Sequence, residues 1–308
     1  MIKIGLIGYP LGHSLSPRIH EAALKSSDLE GSYSLFPIEP DNRQGLSDLL
    51  ARVRNGEITG LNVTIPHKQN VIPMLDELTP VAKSIGAVNT IYLSNKKLIG
   101  DNTDASGFLT DLNHFLTTHL PVGAQAPSQT VPGETLRHGV SNALVLGAGG
   151  SARAVVYALL KDGWQVILAA RRLEQAERLA ASFRDYQLQI TDFTFSNLEL
   201  SNISLIVNTT PVGMTPDIGQ SPWPENLPFP PRAAIYDLVY NPHETKLVRD
   251  AWHKGLRATT GLGMLVEQAA LSFEIWIRQT PSREMMRAAV QGPPISNYQL
   301  RPANHGAA

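Results

Sequence analysis

Between residues 143 and 239 short apolar runs alternate with amphipathic stretches, and the first junction reads Gly147-x-Gly149-x-x-Ala152. This constrains the fold more than any other feature. The runs 143–146, 166–169, 203–207 and 234–239 predict buried strands, and 151–160 and 173–183 have helical spacing. Strands and helices in strict alternation build a parallel, doubly wound sheet. In such a junction the first glycine permits a tight turn. The second lets backbone amides approach a pyrophosphate at the positive end of the helix. Gly147, Ala148, Gly149, Gly150 and Ser151 are therefore expected to bind a dinucleotide. The pattern alone is also that of an ordinary glycine-rich turn; the strand before it and the helix after it favour the nucleotide.

The end of the next strand reports the ribose preference. An acidic residue there accepts from both ribose hydroxyls and favours NAD. This chain has Ala170-Arg171-Arg172 instead, and two guanidiniums suit a 2′-phosphate through charge-assisted contacts. The competing reading is a solvated helix start, although cations are mildly unfavourable in a helix's first turn. NADP is the expected cofactor.

The amino-terminal third repeats the α/β theme less regularly. Strands are expected at 2–7, 33–38 and 58–63, with a hairpin pairing 88–93 with 97–100 across Ser94-Asn95-Lys96. Helices are expected at 19–24 after Ser16-Pro17, at 46–53, at 104–116, and over 71–85 in two pieces broken at Pro80. Another long helix is expected at 264–277. Residues 117–141 are rich in Pro, Gly, Gln, Ser and Thr and read as an exposed loop; 292–308 reads as a polar tail.

A chain of 308 residues fits two domains. Its net charge of −1 supplies no global field for nucleic acid or an anionic membrane. The absence of cysteine excludes disulfides, thiolate metal sites and a thiol nucleophile. There is no run of about eighteen apolar residues to span a membrane, and the glycine-interrupted start is too short for a signal peptide core. A soluble cytoplasmic enzyme is expected. His13, His20 and His67 match no metal-ligand spacing, and no metal is expected.

The polar chemistry concentrates in Asn62-Val63-Thr64-Ile65-Pro66-His67-Lys68 and Asp101-Asn102-Thr103-Asp104. Proline cannot continue a central strand, so Lys68 lies at a strand's end or in the turn after it. Ligands bind outside the carboxyl ends of strands in such sheets. Lys68 and Asp104 delivered there form a proton-handling pair, and a redox cofactor beside them points to carbonyl reduction. The blander readings are a solvated lysine and a first-turn helix acid. Ser14 and Ser16 could each donate to a carboxylate, or Ser16 could merely cap the helix that follows.

These segments resemble the shikimate dehydrogenases over most of the chain. The resemblance rests on His13-Ser14-Leu15-Ser16-Pro17, the Asn62–Lys68 and Asp101–Asp104 segments, Gly86-Ala87-Val88-Asn89-Thr90 and the glycine loop. Asn208-Thr209-Thr210-Pro211-Val212-Gly213-Met214, Asp237-Leu238-Val239-Tyr240-Asn241-Pro242 and Gly261-Leu262-Gly263-Met264-Leu265-Val266-Glu267-Gln268 extend it. It implies two domains: a discontinuous α/β substrate domain (1–106, completed by 262–291) and an inserted Rossmann-type NADP domain (107–261). It implies reversible reduction of 3-dehydroshikimate to shikimate, a step toward chorismate and the aromatic amino acids, by a monomer or homodimer. By the same resemblance Ser14, Ser16 and Tyr240 hold the ring carboxylate, while Asn62, Thr64, Lys68, Asn89, Asp104 and Gln268 form the rest of the substrate site. Residues 147–151, Ala170, Arg171, Arg172, Leu238 and Gly261 line the cofactor. Two departures stand out. The family often has Asn-Arg-Thr and a later base where this chain has Ala170, Arg171, Arg172 and Gln175, and residues 120–141 are longer than usual. The alternative is a quinate/shikimate dehydrogenase with broader substrate or NAD use; the presence of both Ser14 and Ser16 favours shikimate. A binding protein without turnover is the other class, and retention of Lys68 and Asp104 speaks against it.

Overall fold

A computed structural model describes residues 1–118, 141–196 and 198–291. Most of the expected loop at 117–141, and the whole tail from 292, lie outside the described residues. The chain folds as two α/β domains, each around a six-stranded sheet.

The first sheet contains β1 (Ile2–Gly8), β2 (Gly31–Pro37), β3 (Gly60–Val63), β4 (Glu77–Leu78), β5 (Thr90–Ser94) and β6 (Lys97–Asp101) in the order β2-β1-β3-β5-β6-β4. β1 pairs in parallel with both β2 and β3, and its side chains pack on both faces, Ile4 and Leu6 in one core and Ile7 in another, so its middle reads as an apolar run. β5 and β6 run antiparallel across Asn95 and Lys96, whose φ angles of 50° and 63° fit a tight hairpin turn. One face of this sheet carries α1 (Ser16–Ser26), α8 (Leu262–Ile277) and α9 (Arg283–Gln291), and α2 (Arg43–Arg54) covers the other. The C-terminal helices thus complete a domain begun at residue 1.

One expectation fails. The segment 71–85 is not two helices: only α3 (Pro80–Ile85) is α-helical, preceded by a single 3₁₀ turn at Ile72–Met74 and by β4. Pairing of Glu77 and Leu78 with Ile99 and Gly100 claims the residues between. A sheet edge waiting for backbone partners outweighs weak local helix propensity.

The second sheet contains β7 (Asn142–Leu146), β8 (Gln165–Ala169), β9 (Gln189–Thr191), β10 (Ile203–Asn208), β11 (Ala234–Asp237) and β12 (Ala258–Thr260). All pairs are parallel and the order is β12-β11-β10-β7-β8-β9, so the strand order reverses between β7 and β10. Ligand crevices form outside the strand ends at such a switch point. α5 (Gly150–Lys161) and α6 (Leu173–Ala180) follow β7 and β8, and α7 (Lys246–His253) precedes β12.

α4 (Asp104–Thr118) joins the domains. Its Phe108, Leu112, Phe115 and Leu116 enter the core of the second sheet. Phe108 meets Tyr236 edge-on at 5.2 Å, and the Tyr236 hydroxyl donates to the buried Asp111 at 2.6 Å. Among the described residues no helix is long and apolar enough to cross a membrane.

Candidate active site

The reactive constellation starts where β3 ends. Past Val63 the chain turns, held by Thr64 N donating to the Ile7 carbonyl at 2.8 Å and by the His67 ring against the Ile38 carbonyl at 2.7 Å. Lys68 leaves this turn only 9% exposed. A buried ammonium is costly unless paired, and its Nζ meets Asp104 Oδ2 at 2.6 Å.

Asp104 opens α4, where a carboxylate is favoured by the helix's positive end. Asn102 Oδ1 accepts from its amide at 3.1 Å, and Asn102 Nδ2 donates to the Ala87 carbonyl at 2.9 Å. The second carboxylate oxygen accepts from Asn89 Nδ2 at 2.8 Å. That same amide group lies 2.9 Å from Thr103 Oγ1 and 3.3 Å from Gln268 Oε1. Lys68, Asn89, Asp104 and Gln268 are therefore brought together as expected. Three acceptors around one two-proton donor fix Asn89 firmly.

Behind them lies a buried polar layer. Asn62 Nδ2 donates to the Asn89 carbonyl at 3.2 Å and to Ser272 Oγ at 3.0 Å, and Asn62 Oδ1 accepts from the Tyr33 hydroxyl at 2.9 Å. Ser272 also lies 2.7 Å from Thr90 Oγ1 and 3.1 Å from Thr103 Oγ1. Asn62 is thus engaged on both ends of its amide. Thr64, one residue past β3, is half-buried beside Lys68's turn. Thr90, Thr103, Ser272 and Tyr33 were not singled out from sequence; Ser272, four residues after Gln268 on one helix, shares its face.

Ser14 lies at the end of the loop after β1 and Ser16 opens α1, with Ser16 N donating to Ser14 Oγ at 3.3 Å. No side chain caps α1, so the simple capping role for Ser16 does not hold. Burial pushes the Tyr33 hydroxyl far up in pKa; nearby Ser16 offsets this slightly and Tyr240 adds to it. Tyr240 lies half-buried in the loop after β11.

His20 stacks on Tyr33 with ring centroids 4.4 Å apart and planes 5° from parallel. Neither ring nitrogen has a hydrogen-bond partner, and burial drops the imidazole pKa to about 3, slightly offset by nearby Asn62. The folded protein thus holds His20 neutral while the unfolded chain protonates it near 6.5. Stability from this residue is complete above that value and falls as pH drops toward 3. Between pH 7 and 5 the loss amounts to about 2 kcal/mol. Buried Asp237, raised to about 6 by burial, acts in the opposite sense over the same interval. Urea midpoints at pH 7 and 5 are expected to separate the two, because His20→Gln removes only the first slope; an unchanged slope contradicts the assignment.

The cofactor side is built by the second sheet. Gly147 follows β7 with φ +105°, and a Cβ there would sit 2.8 Å from Thr209 Oγ1 and 2.9 Å from Thr210 Cγ2. Gly149 is the N-cap of α5, without a side-chain cap, and open space surrounds the position its Cβ would take. Uncapped amides with bare backbone before them fit a pyrophosphate. Ala170 is buried at the exit of β8, while Arg171 and Arg172 are exposed. Arg172 Nη2 donates to Gln175 Oε1 at 2.8 Å, whereas Arg171 has no partner among the described residues. Leu238 and Gly261 touch: a Cβ on Gly261 would lie 2.5 Å from the Leu238 carbonyl oxygen. Gly150 closes the gap to the chemistry, with its would-be Cβ 3.4 Å from Lys68 Cβ.

A parallel nucleotide-binding sheet whose glycine loop abuts a buried lysine–aspartate pair defines a dinucleotide-dependent dehydrogenase. Comparison with known proteins narrows the class. The family model for the shikimate dehydrogenase substrate binding domain matches residues 6–91, that for shikimate/quinate 5-dehydrogenase matches 134–214, and that for the shikimate 5′-dehydrogenase C-terminal domain matches 261–291. The NADP(+) shikimate dehydrogenase of Salinibacter ruber is 41% identical over 294 residues, spanning 93% of this chain and 94% of its own. That of Shouchella clausii is 37% identical over 289 residues, spanning 94% and 98%. The crystal structure of shikimate 5-dehydrogenase from Thermus thermophilus, in complex with NADP(H) and shikimate, superposes with a TM-score of 0.78 at 37% identity, covering 94% of this chain and 99% of that one. The chain belongs to the shikimate dehydrogenase family.

Proposed function

We propose that this protein catalyses the reversible NADPH-dependent reduction of 3-dehydroshikimate to shikimate, on the way to chorismate and the aromatic amino acids. The observation that carries the reading is the 2.6 Å Lys68–Asp104 pair lying against the glycine loop at Gly150. NADP, when bound, supplies or accepts the hydride. Hydride arriving at the ketone carbon leaves charge on its oxygen, and Lys68 as ammonium donates the proton that neutralises it. In the oxidative direction the neutral amine takes the hydroxyl proton. Asp104 orients Lys68, and Asn89 holds Asp104.

Ser14, Ser16 and Tyr240 would bind the ring carboxylate. Thr64 and Gln268 would join Lys68, Asn89 and Asp104 around the ring hydroxyls, and Asn62 would support them from the buried layer. The substrate domain is assigned to 1–106 with 262–291 and the cofactor domain to 107–261, with the change falling inside α4. Gly147, Ala148, Gly149, Gly150 and Ser151 would hold the pyrophosphate, Leu238 and Gly261 would line the nicotinamide side, and Ala170, Arg171 and Arg172 would face the 2′-phosphate. The reading places the enzyme in the cytoplasm as a monomer or homodimer.

Initial rates of NADP⁺ reduction with shikimate, run beside quinate and beside NAD⁺, test the reading. Fast turnover with shikimate and NADP⁺ alone supports it. Comparable rates with quinate or NAD⁺ would place the enzyme with the broader quinate/shikimate group, and no turnover with any pair would reject the activity. Because Arg171 is exposed and has no partner among the described residues, Arg171→Ser is expected to raise KM for NADP⁺ about 10- to 100-fold, the scale of one charge-assisted hydrogen bond. The KM for NAD⁺ is expected to stay unchanged in the same assay; an equal rise for both would move Arg171 away from the 2′-phosphate.

A further inference from the structure

Arg153 stands one turn into α5, three residues beyond Gly150, with no carboxylate partner among the described residues. A surface arginine normally stays in water or finds an acid. This one is half-buried, and burial lowers its pKa. Its Nη1 crosses to the other domain and donates to the Ile85 carbonyl at 3.3 Å, while also reaching Ser182 Oγ at 3.0 Å. Ile85 is the last residue of α3, where helix carbonyls lack partners and carry partial negative charge.

The contact needs the residue that follows. Gly86 caps α3 at φ +68°, and a Cβ there would lie 3.1 Å from Arg153 Nη1. Immediately beyond, residues 87–89 form the floor under the proton-handling pair. The Ala87 carbonyl accepts from Asn102, Val88 N donates to the Lys68 carbonyl at 2.8 Å, and Asn89 holds Asp104. The first turn of α5 therefore comes up to the catalytic floor at two points: at Gly150, where a Cβ would meet Lys68 Cβ at 3.4 Å, and through the Arg153 guanidinium on Ile85.

We propose that Arg153 is a positioning residue for hydride transfer, strapping the cofactor-binding start of α5 to the 85–89 segment and so fixing the distance between the glycine loop and Lys68. It touches neither reactant; it acts through Gly150 and Asn89. The inference rests on the dehydrogenase reading above and adds to it a residue outside the substrate and cofactor contacts.

The test compares Arg153→Met and Arg153→Lys with the unaltered enzyme. For Arg153→Met, kcat is expected to fall about 10- to 100-fold, the cost of a misplacement near one ångström. Both KM values are expected to stay within about threefold. The deuterium isotope effect on kcat, read with shikimate deuterated at the carbon that yields the hydride, is expected to rise as transfer becomes limiting. Arg153→Lys, which keeps one donor for the Ile85 carbonyl, is expected to recover part of kcat. Hydrogen exchange in the cofactor-free protein gives a readout independent of turnover. Amides of 86–89 and 149–153 are expected to exchange faster together in Arg153→Met, with distant strands unchanged. A lower melting temperature with kcat, isotope effect and local exchange unaltered would overturn the proposal, as would a rise confined to the KM for NADP⁺. If the unaltered enzyme fails to oxidise shikimate, the activity reading falls, while the exchange result still decides whether Arg153 couples the two segments.

Discussion

Lys68→Ala is expected to lower kcat by about 10³-fold, within the range general acid–base groups contribute, while shikimate binding changes only a few-fold. The reasoning is geometric. Lys68 is buried, its ammonium is held by Asp104 at 2.6 Å, and the glycine loop lies against its stem. In the proposed reaction it would exchange a proton at the reacting oxygen, whereas the ring carboxylate would be held elsewhere, by Ser14, Ser16 and Tyr240. Removing the ammonium should therefore affect the transition state much more than the ground state. Steady-state rates with a separate titration of shikimate binding check this. A variant with near-normal kcat would remove Lys68 from the chemistry, and a large loss of affinity with normal kcat would make it a binding group.

Asp104→Asn is expected to cost both turnover and stability. The two carboxylate oxygens face two donors, Lys68 Nζ at 2.6 Å and Asn89 Nδ2 at 2.8 Å. An asparagine has one acceptor and one donor at these positions, so its amide hydrogens must confront one of the two. The change also leaves a buried ammonium without its counter-charge. Breaking a buried pair from one side typically costs about 3–5 kcal/mol. A fall in kcat of about 10- to 100-fold is expected from the loss of orientation, with a lower melting temperature. Rates and thermal unfolding on one preparation check both; a variant as stable and active as the parent would contradict the pairing.

Much of this architecture was legible in the residues. The glycine loop could be placed because a strand precedes it and a helix follows, and Arg171 and Arg172 do stand exposed just after β8, where an acid would favour NAD. Short elements were not legible. β12 is three half-buried residues, β9 is a polar edge strand and β4 is a two-residue pairing supplied entirely by β6. α7 and α9 are amphipathic, but at eight and nine residues each covers little more than two turns, too short for a period to stand out. The Lys68–Asp104 meeting was beyond sequence spacing because the β5–β6 hairpin closes the gap between them. Asn89 leads into β5 and Asp101 ends β6, so the antiparallel pairing returns the chain to its starting point: Asn89 N donates to the Asp101 carbonyl at 3.0 Å. Tyr33 reads only as a strand residue, since nothing local says its hydroxyl will donate to Asn62.

The most direct test of the lysine–aspartate pair as one proton-handling unit is a double-mutant cycle on kcat, with Lys68→Ala, Asp104→Ala and the double variant assayed for shikimate oxidation by NADP⁺. Residues that act as a unit lose their contribution once, so the double variant is predicted to be no slower than the slower single variant by more than about threefold. Losses that multiply across the two sites would mean that Lys68 and Asp104 work independently, and would contradict the account.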